Sequence, residues 1–149
     1  MSPKRILLAA ACAAAFATAG TARAASCKVN GATAVSFARY DTFSAARQQL
    51  RSTLSYDCAP PASPSLTLSA GSSGNASARY MTRAGSADRL LYNVYTDAAC
   101  TSVWSDQPSQ AIPGVGDHNQ TLSFYTCVPP LQDVSAGSYA DTLIVTINF

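Results

Sequence analysis

The sequence predicts an all-β protein built as a β-sandwich. Most of the chain consists of short segments that alternate apolar and polar residues, with turn residues recurring at intervals of roughly 8 to 15 positions. Residues that favour helices are scarce, because all eight acidic residues are Asp and Lys28 is one of only two lysines. Cysteines outside the first 24 residues form an even set, which suits an exported β-rich domain.

The first 24 residues are typical of a secretory signal peptide. Two basic residues precede an apolar run over about 6–19, and the small-residue segment Ala22-Arg23-Ala24 follows. We expect cleavage after Ala24, which leaves one domain over residues 25–149. The apolar run is shorter than the about 20 residues that a membrane-spanning helix needs. No second run of that length follows, so we expect no membrane span after signal removal.

Charge gives no indication of a nucleic-acid partner. The whole chain has 10 basic and 8 acidic residues, and three of the basic residues belong to the expected signal peptide. The remaining domain has seven basic and eight acidic residues, a net charge of −1. A surface that binds phosphates needs clustered positive charge, and we therefore expect no nucleic acid among the partners.

Alternation and turn residues predict about seven strands. In the second of them, Leu50, Leu54 and Tyr56 share one face, which indicates a strand with one buried side. Proline and glycine mark the longer connections as loops. The predicted strands lie in residues 32–41, 48–58, 65–71, 78–85, 89–97, 120–128 and 141–149, and the predicted loops in 59–64, 107–119 and 129–139.

Four cysteines in an exported domain predict two disulfide bonds. They are Cys27, Cys58, Cys100 and Cys127. Four cysteines allow three pairings, and the sequence does not choose among them. We prefer the pairing of sequence neighbours, Cys27–Cys58 and Cys100–Cys127, in which each bond would contribute roughly 3 kcal/mol by the chain-entropy estimate. The chain has no C-x-x-C motif, and we expect no metal site.

The sequence offers no set of catalytic residues. His118 is the one histidine and lies in a polar loop, and no G-x-S-x-G motif provides a nucleophile. Asp97 and Asp106 flank a Trp-containing segment, but Asp97 fits a turn better than a pair of catalytic carboxylates. We therefore expect no enzyme activity and no cofactor. Four tyrosines are expected to pack within the protein rather than to bind a ligand: Tyr92, Tyr95, Tyr125 and Tyr139.

Two stretches, LSAGSSGNASARYMTRAGSADRLLYNVYTDAACTSVW and VSAGSYADTLIVTINF, resemble the signature of the spore coat U domain family. That family includes the subunits of archaic, Csu-type chaperone–usher pili. Cys27 and Cys58 also stand at the places expected in the family. The matching positions are Leu68–Gly71, Arg79–Met81, Leu90–Asp97, Val103–Trp104 and Ala136–Phe149.

The resemblance implies an incomplete immunoglobulin-like sandwich. Such a fold has about six strands, lacks its final strand and is completed by a donor strand from another polypeptide. The strand over 141–149 would then border an open groove, and its inward side chains would lack a cover. Each apolar side chain left exposed to water loses about 1.5–3 kcal/mol of the stabilisation that burial would provide. The expected groove residues are Leu143, Val145, Ile147 and Phe149.

The resemblance also implies partners. A periplasmic pilus chaperone would lend a strand first, with the Phe149 carboxylate as an anchor for its basic residues, and another pilus subunit would replace it at an outer-membrane usher. The domain expected after cleavage has two residues before Cys27, fewer than the about five that a strand needs. We therefore expect a subunit that accepts a strand but does not donate one, at a terminal or minor position of a fibre.

The leading hypothesis is thus a structural subunit of a secreted surface fibre, which passes through the periplasm to the cell surface. An alternative is an adhesive tip module, because a Cys100–Cys127 bond would stiffen the region of a loop that carries Ile112, Pro113 and Val115. For that loop, packing on its own domain is the favoured interpretation. A second alternative is a stand-alone extracellular or spore coat protein.

Overall fold

A computed structural model describes residues 24–59 and 62–149 of the chain. The predicted signal peptide therefore lies outside the described residues, except for Ala24. The described part contains two short 3-10 turns, Gly71–Ser73 and Pro108–Gln110, and no helix in it is long and apolar enough to cross a membrane. Its strands are β1 Ser26–Ala32, β2 Gln48–Ala59, β3 Ser65–Leu68, β4 Tyr80–Arg83, β5 Arg89–Leu91, β6 Asn93–Tyr95, β7 Ile112–Pro113, β8 Gln120–Val128, β9 Tyr139–Ala140 and β10 Val145–Asn148.

The strands form three antiparallel sheets. Their strand orders are β1-β2-β8-β6, β10-β3-β7 and β5-β4-β9. The longest ladder joins β2 to β8, with Leu54 opposite Leu122 and Ser52 opposite Phe124. The predicted alternation of β2 is present, because Leu54, Tyr56 and Cys58 are buried. The all-β fold class is confirmed.

The core lies between the sheets and is centred on Trp104. This side chain is fully buried, and its indole Nε1 donates a hydrogen bond of 2.8 Å to the carbonyl of Leu66. The Phe124 ring packs beside it with a centroid separation of 5.5 Å. A buried indole needs a partner for its N–H, and this bond supplies one while joining the segment after β6 to β3.

A buried arginine joins several segments. The Arg79 side chain is fully buried, and burial lowers the pKa of its guanidinium below the usual value. The guanidinium donates to the carbonyls of Ser69 at 2.7 Å and Trp104 at 2.9 Å, and to Asn93 Oδ1 at 2.6 Å. Further acceptors are the carbonyls of Leu68 and Ala76. These bonds provide the partners that a buried polar group requires.

The prediction of a strand over 32–41 is wrong. Ala32 ends β1, and no strand forms over 33–41. Thr33 N donates to the Thr53 carbonyl at 3.0 Å, but no backbone hydrogen bond joins 34–38 to a neighbouring strand in the described part of the chain. Alternating residues form a strand only where a partner strand is available, and here none is.

One predicted strand is divided in the structure, and another is shorter than predicted. The segment 89–97 breaks at Tyr92 into β5 and β6, which belong to different sheets. The predicted last strand, 141–149, is shorter, because β10 covers only Val145–Asn148. Residues 141–144 cross from the sheet of β9 to that of β10, and a strand that changes sheets cannot keep one continuous ladder.

Both disulfide bonds join sequence neighbours. Cys27 pairs with Cys58, its register partner on the adjacent strand β2. Cys100 pairs with Cys127 and thereby fixes the loop that follows β6 to strand β8. The two bonds attach the first strand and this loop to the central ladder.

Replacing the buried arginine should destabilise the domain strongly. We expect Arg79→Met to lower the free energy of unfolding by about 3 kcal/mol or more, because several buried carbonyls lose their donor. The exposed Arg51, which donates to Ser123 Oγ, provides a matched control. We expect Arg51→Met to change stability by less than about 1 kcal/mol. Urea unfolding measures both, and equal losses would contradict the structural role of Arg79.

Candidate binding groove

A cavity of about 420 Å³ opens between two segments of the chain. One is the rim segment, residues 32–37, which continues from β1. The other, residues 139–145, runs from β9 to the start of β10. Within these segments, residues 33–37 and 141–144 belong to no strand. The cavity therefore has the form of a groove with a backbone segment along each side.

The floor of the groove is the hydrophobic core itself. Its lining includes Trp104 and Phe124, which form the centre of the core, and Val94 of β6. Met81 of β4 contributes from another sheet. In a closed sandwich such side chains are covered by another strand. Here the three core side chains of the floor are buried, and the partly exposed apolar surface between the two rims comes from the half-buried Met81, Leu143 and Val145.

Strand β10 has one free edge. It pairs with β3 and lies at the end of its sheet, so no strand of the described chain pairs with its other side. The Ile144 carbonyl accepts a bond of 2.9 Å from Ser69 N, on the β3 side. Backbone groups alternate in direction along a strand, so the N–H groups of Val145 and Ile147 point toward the free edge.

The other sheet ends in the described chain are protected. β7 carries Pro113, which has no N–H for a ladder, and β9 is only two residues long. The side chain of Gln132 covers β5, because it accepts from Leu91 N at 2.7 Å and donates to the Leu91 carbonyl at 2.9 Å. Beside β6, Trp104 N donates to the Val94 carbonyl. The unprotected ends are β1, which continues into the rim segment, and β10.

Asp141 fixes the wall of the groove. Its carboxylate accepts hydrogen bonds from Ser72 N at 2.9 Å, Ser72 Oγ at 2.7 Å and the Tyr92 hydroxyl at 2.6 Å. Burial alone would raise the pKa of this carboxyl, but the bonds from Tyr92 and Ser72 lower it below the usual value. Burial, and then the bond to Asp141, raise the pKa of Tyr92, so its hydroxyl stays protonated and donates.

The structure brings together part of the predicted groove set. Leu143 and Val145 line the cavity. Ile147 packs against the core but lies outside the lining, and Phe149 is 61% exposed. Sequence reasoning missed the rim segment, because its alternation had been assigned to an ordinary strand. It also missed Asp141, whose place in an alternating segment gave no indication of its hydrogen bonds.

The loop considered for adhesion packs on its own domain. Ile112 of β7 is buried and pairs with Leu66 of β3, so it is not displayed, whereas Val115 is exposed. Asp97 forms a turn, as expected, by accepting from Ser102 N at 2.7 Å. In the part of the chain that the structure describes, no three His, Cys, Asp or Glu side chains lie together as metal ligands.

Gly71 provides a test of the Asp141 contact. It has φ +65°, and an added Cβ would contact Asp141 and lie 2.7 Å from Leu143 Cδ2. Gly74 also has φ +65°, but an added Cβ there meets nothing within 4 Å. We expect Gly74→Ala to cost about 1–2 kcal/mol for its backbone conformation. Gly71→Ala should cost about 1–3 kcal/mol more because it displaces the groove wall.

Thermal and urea unfolding of the two glycine variants give this comparison directly. The control shares the backbone strain and lacks the crowding, so the difference isolates the contact with Asp141 and Leu143. Equal destabilisation of the two variants would show that the wall has no close packing at this point.

The Asp141 carboxylate should make stability depend on pH. Its folded-state pKa is lowered, so its contribution is complete above the unfolded value of about 3.9 and is lost as pH falls through the folded pKa. We expect the stability advantage over Asp141→Asn to be constant above about pH 5 and to shrink below about pH 4. Urea unfolding from pH 7 to pH 2.5 measures it. An advantage that persists unchanged at the lowest pH would contradict the assignment.

Comparison with known proteins agrees with this architecture. The chain is 33% identical over 81 residues to Protein U of Myxococcus xanthus, a match that covers 54% of this chain and 45% of that protein. The chain thus spans less than half the length of this relative.

A solved structure has the same fold. It is a chain of the CsuC–CsuE chaperone–tip adhesion subunit pre-assembly complex from the archaic chaperone-usher Csu pili of Acinetobacter baumannii. The TM-score is 0.62 at 20% identity, over 85% of this chain and 40% of that chain. The family model described as Spore Coat Protein U domain matches residues 13–146, which is most of the chain. The chain belongs to the spore coat protein U domain family.

Proposed function

We propose that this protein is a structural subunit of a secreted surface fibre of the archaic chaperone–usher type, and that its groove accepts a β-strand from another polypeptide. The observation that carries the proposal is a pair of backbone segments that have no strand partner in the described chain, residues 34–37 and the free edge that begins at Val145 of β10, on either side of a cavity whose floor is the core. An inserted strand would bond to both sides and cover the floor.

The energetics favour such an exchange of strands. Addition of a strand to a free edge supplies main-chain hydrogen bonds, while its alternate side chains fill the pockets below. Burying a fully exposed apolar side chain contributes about 1.5–3 kcal/mol, and the half-buried Met81, Leu143 and Val145 would each contribute a part of that on being covered. Even a part of that value from several side chains matters against a typical domain stability of about 5–15 kcal/mol.

The family and the structural neighbour support the same proposal. Membership of the spore coat protein U family indicates a structural rather than an enzymatic protein. The Csu neighbour is part of a chaperone–subunit complex. By analogy, the proposed partners are a periplasmic chaperone, other pilus subunits and an outer-membrane usher. The proposed location is the cell surface, reached through the periplasm after removal of residues 1–24, at a terminal or minor position in the fibre.

A peptide-binding experiment tests strand acceptance. The probe, the alternating peptide, has nine residues of alternating Val and Thr flanked by lysines for solubility. We expect the protein refolded with an excess of this peptide to melt at a higher temperature, because a ligand present at 100 times its Kd stabilises by about 2.7 kcal/mol. A peptide that differs only in having proline at its central position, which cannot complete the ladder, should give a smaller shift.

Two adjacent residues provide matched variants. Val145 lines the groove, whereas Ile144 is 65% exposed and faces away from it. We expect Val145→Asp to abolish the peptide-induced rise in melting temperature and Ile144→Asp to retain it. Intact mass and circular dichroism establish that both variants fold with their disulfides formed. A protein that melts at the same temperature with and without the alternating peptide would contradict the proposal and favour the stand-alone coat protein.

A further inference from the structure

The floor of the groove contains a buried hydroxyl group without a partner. Thr126 lies on β8, is 2% exposed and lines the cavity. Its Oγ1 makes no hydrogen bond to any residue that the structure describes. Buried polar groups in folded proteins are almost always paired, and an unpaired one requires an explanation.

Thr126 is the polar exception in an apolar row. The inward side chains of β8 include Leu122, Phe124 and Val128, which belong to or pack against the core. Thr126 stands opposite Leu50 on β2, which also faces inward. A valine has nearly the same shape as a threonine and would carry no unpaired hydroxyl here. Packing alone therefore does not account for the hydroxyl.

The other polar side chains that line the groove already have partners or face water. The Thr33 hydroxyl lies 3.3 Å from that of Thr53. Tyr92 and Asp141 bond to each other. Thr142 is exposed. Among the described residues that line the cavity, Thr126 is thus the one with a buried side-chain polar atom left unpaired.

We propose that Thr126 selects the strand that enters the groove, by hydrogen bonding to one polar side chain of that strand. This inference rests on the proposed function. The occupant is an extended peptide whose inward residues are apolar except for one hydroxyl or amide side chain, such as Ser, Thr or Asn, placed over Thr126. The Thr126 hydroxyl is already buried and unpaired in the isolated domain, so a strand with only apolar inward residues would leave it without a partner, whereas a strand with the polar residue would supply one.

Selection follows from the hydrogen bond that only the polar strand can form. A site with a buried, unpaired polar group favours a ligand that can pair with it over one that cannot. We expect a preference of about tenfold in Kd for the strand with the polar residue, the size expected for one buried neutral hydrogen bond.

A peptide series tests the proposal. The alternating peptide has five Val positions on one face, and in five further peptides a single Val is replaced in turn by Thr, which has a closely similar shape. We expect one of the five to bind the unmodified protein about tenfold more tightly than the all-Val peptide. Thr126→Val should remove this preference, while Thr126→Ser, which keeps the hydroxyl, should retain it. Fluorescence titration of labelled peptides gives the Kd values.

The outcomes separate this inference from the proposed function. If the peptides bind but none of the five is preferred, or if Thr126→Val keeps the preference, strand acceptance stands and the role of Thr126 is overturned. If no peptide binds, both proposals fail. Thermal unfolding without peptide shows that Thr126→Val folds, and we expect this variant to be at least as stable as the unmodified protein, because it removes an unpaired buried group.

Discussion

One edge of β10 has no partner strand among the residues that the structure describes, and the other features of the groove depend on this constraint. Strand β10 bonds to β3 on one side only. Opposite it, residues 34–37 of the rim segment form no ladder with any described strand, and the cavity lies between the two. Because the outer edges of β5, β6 and β7 are each protected, a strand that added to these sheets would find an unprotected edge beside the groove, at β10 or at β1.

Polar contacts hold this open side in shape. An uncovered apolar groove favours collapse, because the neighbouring side chains gain by moving into it. Asp141 counteracts this by fastening the wall to Ser72 and Tyr92, and Gly71 leaves room for that contact. Arg79 joins the segments beneath it. These contacts fix the walls of the groove before a strand binds. Less conformational entropy of the wall segments would therefore be lost when a strand enters.

The sequence correctly predicted strands that stay in one sheet along their whole length. The predictions failed where the chain crosses from one sheet to another, and where an alternating segment has no partner strand among the described residues. Strands β2 and β8 follow their apolar alternation. The rim segment alternates in the same way yet forms no strand, since alternation does not reveal whether a partner strand exists. Nor does it reveal the crossing at 141–144. Of the groove residues, Leu143 and Val145 followed from alternation and family resemblance, whereas Thr126 resembled any threonine in a strand.

Amide hydrogen exchange at β10, followed by NMR, tests the central claim most directly. The N–H groups of Val145 and Ile147 point toward the free edge, so they should exchange rapidly in the isolated protein. The N–H of Thr146, on the β3 side, should exchange slowly and serves as the internal reference. On addition of a strand-forming peptide, exchange at Val145 and Ile147 should slow to the rate of Thr146. Slow exchange at Val145 and Ile147 in the isolated protein, or rapid exchange that the peptide leaves unchanged, would contradict the account.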